Sequence, residues 1–225
     1  MNLKRIFCVC LLLFPLALNA DIFSGARLGF QQGYLLSRLD FSWDLSPYSI
    51  ADMQRAQGGI FLSLQLGDHF AIRPGLNFTQ KGVHVRSGGP LIPPYEETWR
   101  FEFLEFPISV HFYPLGKKRG VIPSFFAGPY AAARIGMRVT DNGREVGDVP
   151  SSLAHSFDLG MMAGIALAAR TGAGRLHCEL RYSWGLGNFM HDPWYSELPE
   201  SMTIKTRSLA LLFGYSLPLG GKGNT

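Results

Sequence analysis

Cysteine is nearly absent from this 225-residue chain. Two of its three cysteines, Cys8 and Cys10, lie within the first twenty residues, and Cys178 stands alone in the rest. No intramolecular disulfide can form outside that leader, so the fold must hold without a covalent staple. Charge is scarce too. Asp, Glu, Lys and Arg make up 17% of the residues, well under the quarter or so of an ordinary soluble protein. The formal net charge of +4 is modest and carries no nucleic-acid footprint.

Long apolar runs are also missing beyond the N-terminus. Residues 159–169 form the longest candidate, and they are too few to cross a bilayer as a helix. The earlier run, residues 6–18, follows Lys4 and Arg5 and ends in Leu18-Asn19-Ala20. A short basic stretch, an apolar core and a small residue at the cut describe a secretory signal, so residues 1–20 are expected to leave after Ala20. As a membrane helix the run is too short and lacks a stop-transfer flank. No cysteine follows it to carry a lipid. An exported, charge-poor chain without a spanning helix has two destinations, a soluble β protein or a transmembrane β-barrel.

What the chain does have is alternation. In FLEFPISVHFYP, residues 103–114, Leu104, Phe106, Ile108, Val110 and Phe112 share one side of an extended chain. Glu105, Pro107, Ser109 and His111 share the other, the signature of a strand with one apolar face. Similar patterns predict strands near residues 25–35, 60–66, 70–85, 121–135, 157–168, 176–184 and 208–217. The segment at 157–168 also fits a small-residue helix face, but both its glycines fall with Asp158, which favours a strand. Trp99, Phe101 and Phe103 have the wrong parity for the apolar face of Leu104 onward. A bulge near Phe103 is expected there, or a strand leaving the apolar layer.

Between these strands, connections alternate long and short: residues 37–57, 87–97, 138–155 and 188–202 against 67–68, 116–120 and 171–174. Short turns on one side and long loops on the other lay out an outer-membrane barrel. A soluble lipocalin-like barrel would instead put the face rich in Gly, Ala and Ser in water. Small side chains suit the narrow interior of eight strands. The expectation is all-β: an eight-stranded antiparallel transmembrane β-barrel over residues 21–217, followed by a tail at 218–225.

Four stretches, IRPGLNFTQKG, FLEFPISVHFYP, PSFFAGPYAA and ELRYSWGLGN, occur in this order along the chain. Together they resemble the strand motifs of PorT-like outer-membrane β-barrel proteins of Bacteroidetes-type bacteria. The resemblance implies residence in the outer membrane of a Gram-negative cell, against its lipid, after delivery by the barrel-insertion machinery. It also implies an envelope or secretion-system protein as partner. The last strand departs from the usual ending on an aromatic, since Phe213 and Tyr215 are followed by LPLGGKGNT.

Turning the polar faces inward places Arg27, Arg73, Lys81, Glu105, His111, Asp158, His177, Glu179 and Arg181 in the lumen. Charges of both signs in so narrow a space must pair. Arg73, Glu105, His111, Asp158, His177, Glu179 and Arg181 are therefore expected to form a structural network, with Asp158, Glu105 and Glu179 neutralising Arg73 and Arg181. No catalytic, cofactor or metal site is expected. A lipid-modifying enzyme would need a nucleophile beside a histidine. His84 with Ser87, and His155 with Ser151, Ser152 or Ser156, supply the residue types but no Gly-x-Ser-x-Gly motif. His177 and Glu179 share a strand face and would also suit a metal pair. Pro107 and Pro129 fall inside strands, where local bulges would accommodate them.

Overall fold

The computed structural model describes residues 25–41, 48–89, 92–117, 120–146, 155–188 and 204–219. The expected signal segment lies outside these residues, as does most of the tail. Among the described residues there are ten strands: β1 (Arg27–Phe41), β2 (Tyr48–Ala51), β3 (Met53–Leu66), β4 (Phe70–Gly89), β5 (Ile92–Phe112), β6 (Val121–Asp141), β7 (Arg144–Glu145), β8 (Phe157–Thr171), β9 (Gly174–Gly185) and β10 (Ile204–Pro218). Eight of them close a barrel, running β1-β3-β4-β5-β6-β8-β9-β10 and back to β1, with every pairing antiparallel. Closure leaves no free sheet edge, which is the condition for crossing lipid with strands. Among the described residues no helix is long and apolar enough to cross a membrane.

Alternation decides which side each residue takes. Phe30, Ile60, Phe106, Ile108, Val110, Phe125, Ile165, Leu211 and Phe213 point outward and are exposed. They form an apolar band around the barrel. The residues between them, among them Gln31, Ser63, Asn77, Glu105, Ser109, Asp158 and Ser216, are buried inside. The ambiguous segment at 157–168 is strand β8, its glycines facing the lumen with Asp158.

Trp99, Phe101 and Phe103 continue the lumen face of Glu105 rather than switching sides. A bulge does lie beside them, but the extra residue is Ile135 on β6, where Glu102 pairs with Gly136 and Phe103 with Arg134. The interior is apolar at this level, so apolar character there does not mean a lipid-facing side chain. With Leu39, Val83, Tyr130, Ala132 and Val139 the three rings form an apolar cluster inside the barrel.

Two expected long loops, residues 37–57 and 87–97, are largely strand, and a third, 138–155, begins as strand. β4 and β5 approach as one hairpin, leaving residues 90 and 91 between Gly89 and Ile92. β6 runs to Asp141 and turns through Asn142 and Gly143, both at positive φ, into β7. β4, β5 and β6 have 20, 21 and 21 residues, about twice what a tilted crossing needs. Their ends therefore stand beyond the band, where backbone pairing outlasts the apolar alternation that announces a strand. Pro107 and Pro129 sit at no bulge, because the register on β5–β6 and on β6–β8 is the same on either side of them.

Candidate functional site

The barrel interior gathers the chain's buried charges. Arg73 Nη1 lies 3.3 Å from Glu179 Oε2, and Arg181 Nε donates to Glu179 Oε1 at 2.8 Å. Arg181 Nη1 is 3.9 Å from Glu105 Oε1, and Glu105 Oε2 is 3.6 Å from Lys81 Nζ. Lys81 Nζ then donates to Asp158 Oδ2 at 3.2 Å. The order Arg73, Glu179, Arg181, Glu105, Lys81, Asp158 alternates in sign, and three cations balance three carboxylates. Such alternation answers the desolvation that isolated buried charges could not survive. Asp158 thus serves Lys81 rather than an arginine, and Tyr130 and Thr206 complete its shell at 3.1 and 2.8 Å.

Each cation also rests on an aromatic ring. Arg73 lies 4.5 Å from the Phe61 centroid, Lys81 4.7 Å from Tyr130 and Arg181 5.9 Å from Phe126. Cross-strand glycines make room for those rings: Gly29 opposite Phe61, Gly160 opposite Tyr130 and Gly164 opposite Phe126. A Cβ at any of the three would collide with the ring beside it. Gly59 does the same for polar neighbours. It stands between Gln31 and Asn77 in register, and Gln31 Nε2 donates across it to Asn77 Oδ1 at 3.1 Å. The sequence reading named the cations but missed their aromatic seats, although a glycine facing an aromatic across two strands is the signal that would have found them.

The short-turn end is closed differently. Lys117 Nζ donates to the Gly67 carbonyl at 2.7 Å and to that of Phe70, and lies 4.8 Å from the Tyr113 ring. Burial in the turn, reinforced by Arg175 and opposed by Asp68, pushes its ammonium down to about 8. Arg27 is half-buried at the same end, holding Ser216 by its side chain and carbonyl at 3.2 and 2.9 Å.

A family model described as "Outer membrane protein beta-barrel domain" matches residues 19–191. The chain belongs to that family. It is an outer-membrane β-barrel protein, as the outward apolar band and inward ion chain require of a strand-crossing chain. No curated protein matches it. Among solved structures it is similar to the outer membrane protein OprG of Pseudomonas aeruginosa, at 10% identity and TM-score 0.49, over 86% of this chain and 97% of that one. It is also similar to Neisserial surface protein A, at 11% identity and TM-score 0.43, over 87% and 99%. The attachment invasion locus protein Ail of Yersinia pestis is similar at 11% identity and TM-score 0.40, over 86% and 99%.

Within this outer-membrane barrel the two lumen histidines stand beside serines. Ser109 Oγ lies 3.1 Å from His111 Nε2, and Ser216 Oγ lies 2.7 Å from His177 Nε2. His111 also stacks on Phe126 at 4.8 Å. Both Nδ1 atoms are buried without a partner among the described residues. Neither imidazole therefore meets the carboxylate that orients a catalytic base. Glu179 is held by two arginines and His177 by Ser216, so the conceivable metal pair is engaged elsewhere. Among the described residues no three of His, Cys, Asp or Glu converge as metal ligands. Of the loop candidates, His84 contacts Glu96 and Thr98, each at 2.7 Å. Ser151, Ser152 and the Ser87 side chain lie outside the described residues.

Proposed function

We propose that this barrel is a non-conducting component of the outer membrane, an accessory or structural envelope protein that acts through its external rim. The observation that carries this reading is the neutral six-residue ion chain across the lumen, overlain by the Trp99, Phe101 and Phe103 cluster. A conducting pore needs a continuous wet path, whereas a small eight-stranded barrel has room only for side chains that pair with each other. The long ends of β4, β5 and β6 supply a rigid platform outside the bilayer for a protein partner. A role beside a protein-secretion system is the form of this function that the PorT-like motifs suggest.

Reconstitution into planar bilayers tests the closed lumen: the expected outcome is no steady conductance, and a reproducible open channel would overturn it. Affinity capture from intact envelopes then divides the two remaining roles. A stoichiometric partner supports the accessory role, and its absence supports the structural one.

A further inference from the structure

Where β4, β5 and β6 rise past the apolar band, their outward face changes chemistry row by row. Phe78 and Leu104 make the last apolar row on β4 and β5. Gln80 and Glu102 follow, then Gly82, Arg100 and Arg138, then His84, Thr98 and Thr140. Two residues advance a strand by roughly 7 Å. Allowing for barrel tilt, Arg100 stands on the order of 10 Å above Leu104, at the depth of lipid headgroups rather than acyl chains.

At this level the wall is notched. The β3–β4 ladder reaches Gln57 opposite Thr79, and pairing resumes on β2 with Ala51 opposite His84. Residues 52–56 thus face residues 80–83, and the additional residue breaks the ladder. The result is an outward cleft of about 530 Å³, lined by Asp52, Arg55, His84, Arg86, Thr98 and Arg100 among others.

Its charges are unbalanced. Arg55 and Arg100 line the same cleft with like charge. The Nε of each is buried with no partner among the described residues, and Arg55 Nη1 reaches only the Gln54 carbonyl, at 3.0 Å. Of the nearby carboxylates, Glu96 is held by His84 and Arg86 at 2.7 and 3.4 Å, Glu102 accepts from Gln80 at 3.3 Å, and Asp52, exposed on the cleft, lies 4.0 Å from Arg38.

We propose that this cleft binds the phosphate group of an outer-leaflet glycolipid, with Arg55 and Arg100 as its anchors. Two guanidinium forks in one cleft, with Asp52 as the single carboxylate among the lining residues, match the charge and the planar geometry a phosphate accepts. The occupant is a lipid because the cleft opens outward at headgroup depth, one polar row, Gln80 and Glu102, above the apolar band. Exposed Phe78 and Ile135 lie beneath it to receive acyl chains. Thr140 lines the cleft beside Thr98 and adds a hydroxyl donor, while the Thr98 hydroxyl is held by His84 at 2.7 Å. The site does not depend on whether the lumen conducts.

The test uses the full mature chain in neutral detergent, titrated with bisphosphorylated lipid A, with the same glycolipid after dephosphorylation, and with inorganic phosphate, each read by native mass spectrometry. Bisphosphorylated lipid is expected to bind at least tenfold tighter than the dephosphorylated form, about the effect of one charge-assisted hydrogen bond. The double substitution Arg55→Gln with Arg100→Gln should abolish that preference, while Arg144→Gln, on the exposed β7 hairpin, should leave it intact. Arg100→Gln alone should reduce it several-fold, which keeps the test available if the double variant does not fold by heat-modified migration. Equal binding of the two glycolipids, or an unchanged preference in the arginine variants, would overturn the proposal. Inorganic phosphate bound as tightly as lipid A would make this a free-anion site and overturn the lipid assignment.

Discussion

The lumen and the outer rim are built from the same charged residues, in two different solvents. Inside, Arg73, Lys81 and Arg181 meet Glu105, Asp158 and Glu179, and all six side chains are between 2 and 6% exposed. On the rim, Arg38 and Arg207 meet Asp40 at 3.7 and 3.0 Å, and Arg86 meets Glu96 at 3.4 Å, with side chains 26 to 61% exposed. Water and salt screen the rim pairs, so each adds little, and losing one member leaves a charge that can hydrate. No such relief exists inside. A lumen charge that loses its partner stays buried against rings and other charges, and its value lies in the completeness of the chain. The same contrast explains the aromatics. Rim arginines need no seat, whereas each lumen cation has a ring beneath it and a glycine making space for the ring.

Breaking the chain at its most shared member should give the largest effect. Glu179→Ala leaves Arg73 and Arg181 without their common carboxylate, and should cost about 3–5 kcal/mol in urea unfolding from detergent or vesicles. Adding Arg73→Met should recover part of that loss, a coupling that a double-mutant cycle measures directly. Independent, additive losses would mean that the six residues do not act as one network.

Removing a seat instead of a charge tests the glycine–aromatic pairs. Gly29→Ala should destabilise the barrel by about 1–3 kcal/mol, since its Cβ must displace the Phe61 ring that carries Arg73 and meets His177 edge-on. Alanine at the exposed turn glycine Gly120, where an added Cβ meets nothing within 4 Å, provides the control. Equal effects at the two positions would remove the idea that lumen glycines are there for the rings.

The rim should respond least. Glu96→Ala is expected to cost below about 1 kcal/mol, and the cost should shrink further as salt is raised. A loss as large and as salt-resistant as that of Glu179→Ala would mean that the rim is shielded by something other than water.

Where apolar and polar residues alternate, the sequence by itself determined the side each residue takes. Ile108, Val110 and Phe112 face lipid and Ser109 and His111 face the lumen because a strand's period of two is a local property of the backbone. It also determined the export-like leader pattern, the need for strands rather than helices to cross lipid, and the identities of the lumen charges. The partners were beyond it. Lys81 and Asp158 stand 77 residues apart, and only the stagger of the closed barrel brings them level. The odd parity of Trp99, Phe101 and Phe103 was visible, but the sequence left it between a bulge and a strand leaving the apolar layer, because nothing local shows that an interior closed to water accepts rings as well as lipid does. Strand lengths beyond the band escaped for a related reason: no lipid enforces alternation there, while antiparallel pairing and the Asn142-Gly143 turn still carry the backbone on. Facing is set by the chain's own geometry; pairing, seats and the notched rim wait for closure, since only closure fixes which residues share a cross-section.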